Sequence, residues 1–145
     1  MYKRILLGYD GSESGQQALL GSREIAQWSQ AELVLLAVMP LPIAAIGPEG
    51  GIYDPETEKI ERDRYQSILD AGVQRLTQAG QSARGEVVQG DPVQELARAA
   101  SELGADLIVV GHKHLEGWAR RWWHSSVSKA LIEHAPCSVL VVITG

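Results

Sequence analysis

One cysteine, Cys137, stands in a chain of 145 residues, so no disulfide can close within it and no multi-cysteine zinc or iron–sulfur frame can be assembled. A reducing compartment, the cytoplasm, is the expected home. Long hydrophobic runs are also lacking. Apolar runs such as Leu107 to Val110 and Val139 to Ile143 are strand-sized, far below the roughly 20 residues of a bilayer-spanning helix, and no membrane partner is expected. The opening Met-Tyr-Lys-Arg-Ile-Leu-Leu-Gly-Tyr-Asp holds too brief an apolar run for a signal peptide and reads as a first strand. Positive charge is in deficit, with 13 Lys and Arg against 18 Asp and Glu and a formal charge of -5. That balance argues against general nucleic-acid binding, which depends on neutralising phosphates with Lys and Arg. Familiar catalytic sets are missing too: there is no Gly-x-Ser-x-Gly elbow, no Gly-Lys-Ser/Thr phosphate loop and no His-Glu-x-x-His, so no catalytic residue is assigned.

What is present suffices for one folded domain over residues 1–145: 45% of the residues are hydrophobic and 21% charged, outside the range of disordered chains. Arg4 to Tyr9 reads as a buried strand. From Ser12 the period changes, and Ala18, Leu19, Ser22, Ile25, Ala26 and Trp28 form a helical stripe capped by Ser12 or Ser14. Ala31 to Met39 is a second strand, stopped by Pro40 and Pro42. Residues 40–55 hold four of the six prolines and a cluster of glycines, which predicts a long loop. Glu56 to Gln78 predicts a long, half-exposed helix with a stripe through Ile60, Arg64, Ile68, Ala71 and Leu76. A short strand over Gly85 to Gln89 leads into Gly90-Asp91-Pro92, a turn, cap and first-turn proline for a helix that Gly104 closes. Asp106 to Gly111 is a buried strand, Ser125 to His134 a last helix and Cys137 to Thr144 a last strand. Strict alternation of strand and helix predicts a mainly parallel α/β sheet covered on both faces, with ligands received at the carboxyl ends of the strands.

Three such ends carry the informative residues: Gly8-Tyr9-Asp10-Gly11-Ser12, Ala37-Val38-Met39, and Gly111 onward. Asp10 can accept hydrogen bonds from a ribose hydroxyl or an adenine amine, help hold a metal-bound phosphate, or simply satisfy amides of its own loop. Between Gly111 and Lys129, four basic residues (Lys113, Arg120, Arg121 and Lys129) face one acid, Glu116. Gly111 and Gly117 permit close backbone approach, and Ser125-Ser126 opens a helix whose free amides attract anions, so the segment reads as a phosphate site or an ordinary basic loop. All four histidines (His112, His114, His124 and His134) fall in this last part of the chain, but their spacing does not make a metal centre, and none is assigned. Trp118, Trp122 and Trp123 read as packing residues, and Cys137 as a core residue.

The runs Ile-Leu-Leu-Gly-Tyr-Asp-Gly-Ser, Gly90-Asp91-Pro92, Asp106-Leu-Ile-Val-Val-Gly111, Ser126-Val-Ser-Lys and His134-Ala-Pro-Cys-Ser-Val-Leu-Val-Val resemble the universal stress protein family over nearly the whole chain. The resemblance implies a single-domain Rossmann-like fold, five parallel strands in the order 3-2-1-4-5 with helices on both faces, and a homodimer formed through the last strand. In one branch it implies ATP or AMP in the cleft, with Mg2+ accompanying ATP. That branch carries Gly, two residues, Gly, nine residues, then Gly and Ser or Thr. Here Gly111 matches the first glycine, His114 stands at the second, ten residues follow, and Ser125 precedes Ser126. On this likeness the nucleotide-binding set is Gly8, Tyr9, Asp10, Val38, Gly111, His112, His114, Ser125, Ser126, Val127 and Ser128. Asp10 and Val38 would meet base and ribose, and Gly111, Ser125, Ser126 and Ser128 the phosphates. The expected function is a stress-associated adenine-nucleotide module that alters binding of a protein partner. The alternatives are a ligand-free interaction protein, with His114 filling the phosphate position, and a slow ATPase.

Overall fold

The computed structural model describes residues 2–41, 54–113 and 125–144, without the side chains of residues 113, 125–128 and 144. Among these residues nine elements alternate: β1 (Arg4–Gly8), α1 (Glu13–Ser29), β2 (Glu32–Met39), α2 (Pro55–Gln78), β3 (Ala83–Gln89), α3 (Pro92–Leu103), β4 (Leu107–Lys113), α4 (Ser125–His134) and β5 (Ser138–Thr144). All strand pairs are parallel, in the order β3-β2-β1-β4-β5. This is the expected α/β architecture, and no helix among the described residues is long and apolar enough to cross a membrane.

The central strand is apolar because both its faces are covered. Leu7 joins Tyr9, Leu19, Leu35, Leu69 and Val109 under α1 and α2. Leu6 joins Val34, Leu36, Leu96, Ile108 and Leu131 under α3 and α4. Ile5, Leu6 and Leu7 are wholly buried, each contributing about 1.5–3 kcal/mol of hydrophobic stabilisation. The reversal of strand order lies between β1 and β4, both of which end beside the first turns of α1 and α3.

The predicted helix signals hold. Ser12 caps α1 by accepting from the Gly15 amide, Asp91 caps α3 by accepting from Gln94, Pro92 sits in its first turn, and Gly104 ends it at φ 66°. Two stripes differ from expectation. In α2 the buried residues are Leu69, Gly72 and Leu76, whereas Ile60 is 66% exposed and Arg64 and Ala71 also face solvent. The reason is close packing at glycine. A Cβ on Gly72 would lie 2.7 Å from the Tyr9 ring, and one on Gly85 would lie 2.8 Å from Leu69, so the helix turns its small residue inward. In α1, Trp28 leaves the stripe and is 77% exposed. The predicted loop at 40–55 and the tryptophan-rich stretch lie largely outside the described residues.

Candidate functional site

The carboxyl ends of β1, β2 and β4, closed on one side by the first turn of α3, form a cleft lined by Gly8, Tyr9, Asp10, Val38 and Gly111, all named from the sequence. Sequence reasoning missed Gly15, Leu36, Pro92, Leu96 and Val110, which complete the lining. Apart from Gly15, these are ordinary apolar residues with no chemical signature. The one usable signal was the Gly90-Asp91-Pro92 turn, which places the start of α3 at the same sheet edge as Asp10. The described walls enclose about 60 Å³, room for about two waters. They make a floor on which one edge of a flat ligand could rest, not a full enclosure.

Asp10 is the only charged one among the described residues lining this floor. Its Oδ1 accepts from the Ser12 amide at 2.9 Å and from the Ser12 hydroxyl at 2.6 Å. Ser12 Oγ in turn accepts from the Gly15 amide at 3.1 Å and lies 3.1 Å from Ser14 Oγ. A serine has one hydroxyl proton; with that proton given to Asp10, Ser14 must be the donor in the serine pair. One carboxylate oxygen therefore serves the α1 cap, as the loop-satisfying reading foresaw. No described residue donates to the other, Oδ2.

Tyr9 divides its roles. It contributes to the cleft lining, but its ring belongs to the core under α1 and α2. There its hydroxyl accepts from Gln16 Nε2 at 2.6 Å, and Gln16 Oε1 accepts from Arg75. Burial pushes the phenol above its ordinary pKa, against the opposing pull of Arg75 and Gln16, so Tyr9 stays neutral at physiological pH. Through Gln16 of α1 the phenol links Arg75 of α2 to the loop that carries Asp10.

Gly111 corrects the sequence reading. It was expected to open the loop after β4; it lies inside β4, paired with Val142, and the strand continues through His112 and Lys113. A Cβ at Gly111 would come 2.3 Å from the Ser14 carbonyl oxygen and 2.6 Å from its carbon. The bare backbone makes room first for the protein's own helix: it lets the first turn of α1 rest on β4. Gly8 is bare for a related reason, since a Cβ there would lie 3.2 Å from Val110 and 3.3 Å from Leu96 and fill the slot. His112 is half-buried one residue beyond Gly111 and is not part of the lining. His114 lies outside the described residues. Ser125, Ser126, Val127 and Ser128 form the first turn of α4, with only their backbone described. Because α4 runs back from the end of β4 between two parallel strands, its amino terminus is at the cleft's edge of the sheet.

Comparison with known proteins agrees with this architecture. The chain is 30% identical to a putative universal stress protein of Staphylococcus haemolyticus over 145 residues, covering 99% of this chain and 86% of that one. A crystal structure of a universal stress protein family member from Burkholderia pseudomallei superposes with a TM-score of 0.76 at 31% identity, covering 97% of this chain and 96% of that one. A universal stress protein solved in complex with cAMP superposes with a TM-score of 0.69 at 27% identity, covering 99% and 98%. The family model for universal stress proteins matches residues 1–142, and the chain belongs to the universal stress protein family.

Proposed function

We propose that this protein binds an adenine nucleotide, ATP or AMP, in the cleft between β1, β2 and α3, and that occupancy changes its binding of a protein partner. The observation that carries the reading is the pairing of an apolar slot with one carboxylate oxygen not used by the cap. Leu36, Val38, Leu96 and Val110 suit the faces of a purine, and Asp10 Oδ2 suits a ribose hydroxyl or the adenine amine. The structure of a related universal stress protein with cAMP supports the same choice of ligand class. The phosphates would extend toward the amino terminus of α4, where free backbone amides favour anions, with Ser125, Ser126 and Ser128 around them. Among the described residues no three metal-binding side chains cluster; Mg2+ would enter with the triphosphate. In this reading the protein works in the cytoplasm as a homodimer joined through β5. That strand is seven residues long, Ser138–Thr144, and carries no charge or proline to discourage pairing.

Equilibrium dialysis with labelled ATP and AMP tests the ligand. The expected result is uptake approaching one nucleotide per chain at millimolar concentration; no uptake at that concentration would refute nucleotide binding and favour the ligand-free alternative.

A further inference from the structure

The residues on either side of Asp10 in the chain are both set against α2, a helix that supplies none of the described lining of the cleft. On the amino-terminal side, the Tyr9 ring lies over Gly72, where a Cβ would come 2.7 Å from Tyr9 Cε1 and 3.1 Å from its Cζ. On the carboxyl-terminal side, Gly11 takes φ 78° against Ile68, and a Cβ there would come 2.7 Å from Ile68 Cγ2. Ile68 and Gly72 are four residues apart, so they stand about one turn from each other on a single face of α2. The turn that carries Asp10 is thus seated on α2 at two points, one before the carboxylate and one after it.

Contact with a bare glycine brings the Tyr9 ring close, and hydrogen bonds add direction. The Tyr9 hydroxyl accepts from Gln16 Nε2 at 2.6 Å, and Gln16 Oε1 accepts from Arg75 of α2. A side-chain amide has one donor end and one acceptor end, so holding Tyr9 with the first and Arg75 with the second fixes the way Gln16 faces. Neither Gln16 nor Arg75 is among the residues that line the cleft. From α1, Ser12 holds Asp10 Oδ1, and a Cβ at Gly15 would lie 2.7 Å from that same oxygen. The carboxylate is therefore oriented by two helices before any ligand arrives.

We infer that Gln16 and Arg75 are positioning residues for the nucleotide: through Tyr9 they hold Asp10 in the orientation the ligand meets, without touching the ligand themselves. The inference rests on the nucleotide reading proposed above and adds to it the residues outside the cleft that set its affinity. Such coupling is reciprocal, so a bound nucleotide must in turn alter the surroundings of Arg75.

Titration calorimetry with ATP tests this on wild type, Gln16→Ala and Arg75→Ala. Arg64→Ala, which removes an exposed α2 arginine paired with Glu61, is the control for lost positive charge. Gln16→Ala and Arg75→Ala are each expected to weaken ATP binding about threefold or more, and Arg64→Ala by less than that. NMR of the Arg75 Nε–H group supplies a second readout. Its resonance is expected to move when wild type is saturated with ATP and to stay in place in saturated Gln16→Ala. A wild type that binds ATP while either variant falls short of the expected loss would overturn the positioning role and leave the nucleotide reading intact. An Arg75 resonance that saturating ATP does not move would also overturn it, because the lost affinity would then reflect general loosening. An equal loss in Arg64→Ala would reduce the effect to charge alone and overturn it too. A wild type that takes up no ATP would overturn the nucleotide reading and this inference together.

Discussion

Gly111→Ala is expected to lower thermal stability by about 10 °C, whether or not nucleotide is present. The added Cβ would sit 2.3 Å from the Ser14 carbonyl oxygen, an overlap with backbone that no side-chain rotation relieves. Relief requires the first turn of α1 to lift from β4, which disturbs the Ser12 cap and the Asp10 bonds built on it. Overpacking against a fixed neighbour costs about 3 kcal/mol at the upper end of its usual range, and for a chain of this size each kcal/mol moves the melting temperature by about 3–4 °C. Differential scanning calorimetry of the ligand-free variant measures it directly. A variant that melts with wild type but loses nucleotide would return Gly111 to a role in ligand binding alone.

Asp10→Asn separates the two duties of the carboxylate. The amide's oxygen can still accept from the Ser12 amide and hydroxyl, while its NH2 takes the place of Oδ2 and presents donors where the ligand needs an acceptor. The expected outcome is a nucleotide affinity about 10- to 100-fold weaker, since hydrogen bonds to a charged group contribute about 1.5–3 kcal/mol, with little change in melting temperature. Asp10→Ala should lose affinity comparably and stability as well, because it removes the acceptor for Ser12. Titration calorimetry with ATP, set beside thermal melts of both variants, reads the two effects separately. Unchanged affinity in Asp10→Asn would remove Asp10 from the ligand site.

These two substitutions mark where sequence and structure part. The alternation of strands and helices was legible because each signal is local: Asp91-Pro92 starts α3 and Gly104 ends it at positive φ. Asp10, Gly8 and Val38 were legible as cleft residues because topology alone places strand ends together. Contacts between elements were not legible. Nothing near Gly111 in sequence says that Ser14, on another element, lies against it. The inward face of α2 slipped by one position because Gly72, which a hydrophobicity count passes over, is the residue that meets Tyr9. Trp28 was placed in the helical stripe on its hydrophobicity, although it is 77% exposed. Leu96 and Pro92 gain meaning only when α3 lies across the end of β1.

The central claim is that the cleft at Asp10 receives an adenine ring. A crystal structure of the protein grown with excess ATP tests it most directly. The account predicts purine density between Val38 and Leu96, with a ligand N–H or O–H within hydrogen-bonding distance of Asp10 Oδ2. A cleft closed by the protein's own side chains, or nucleotide bound elsewhere with Asp10 Oδ2 facing only solvent, would contradict it.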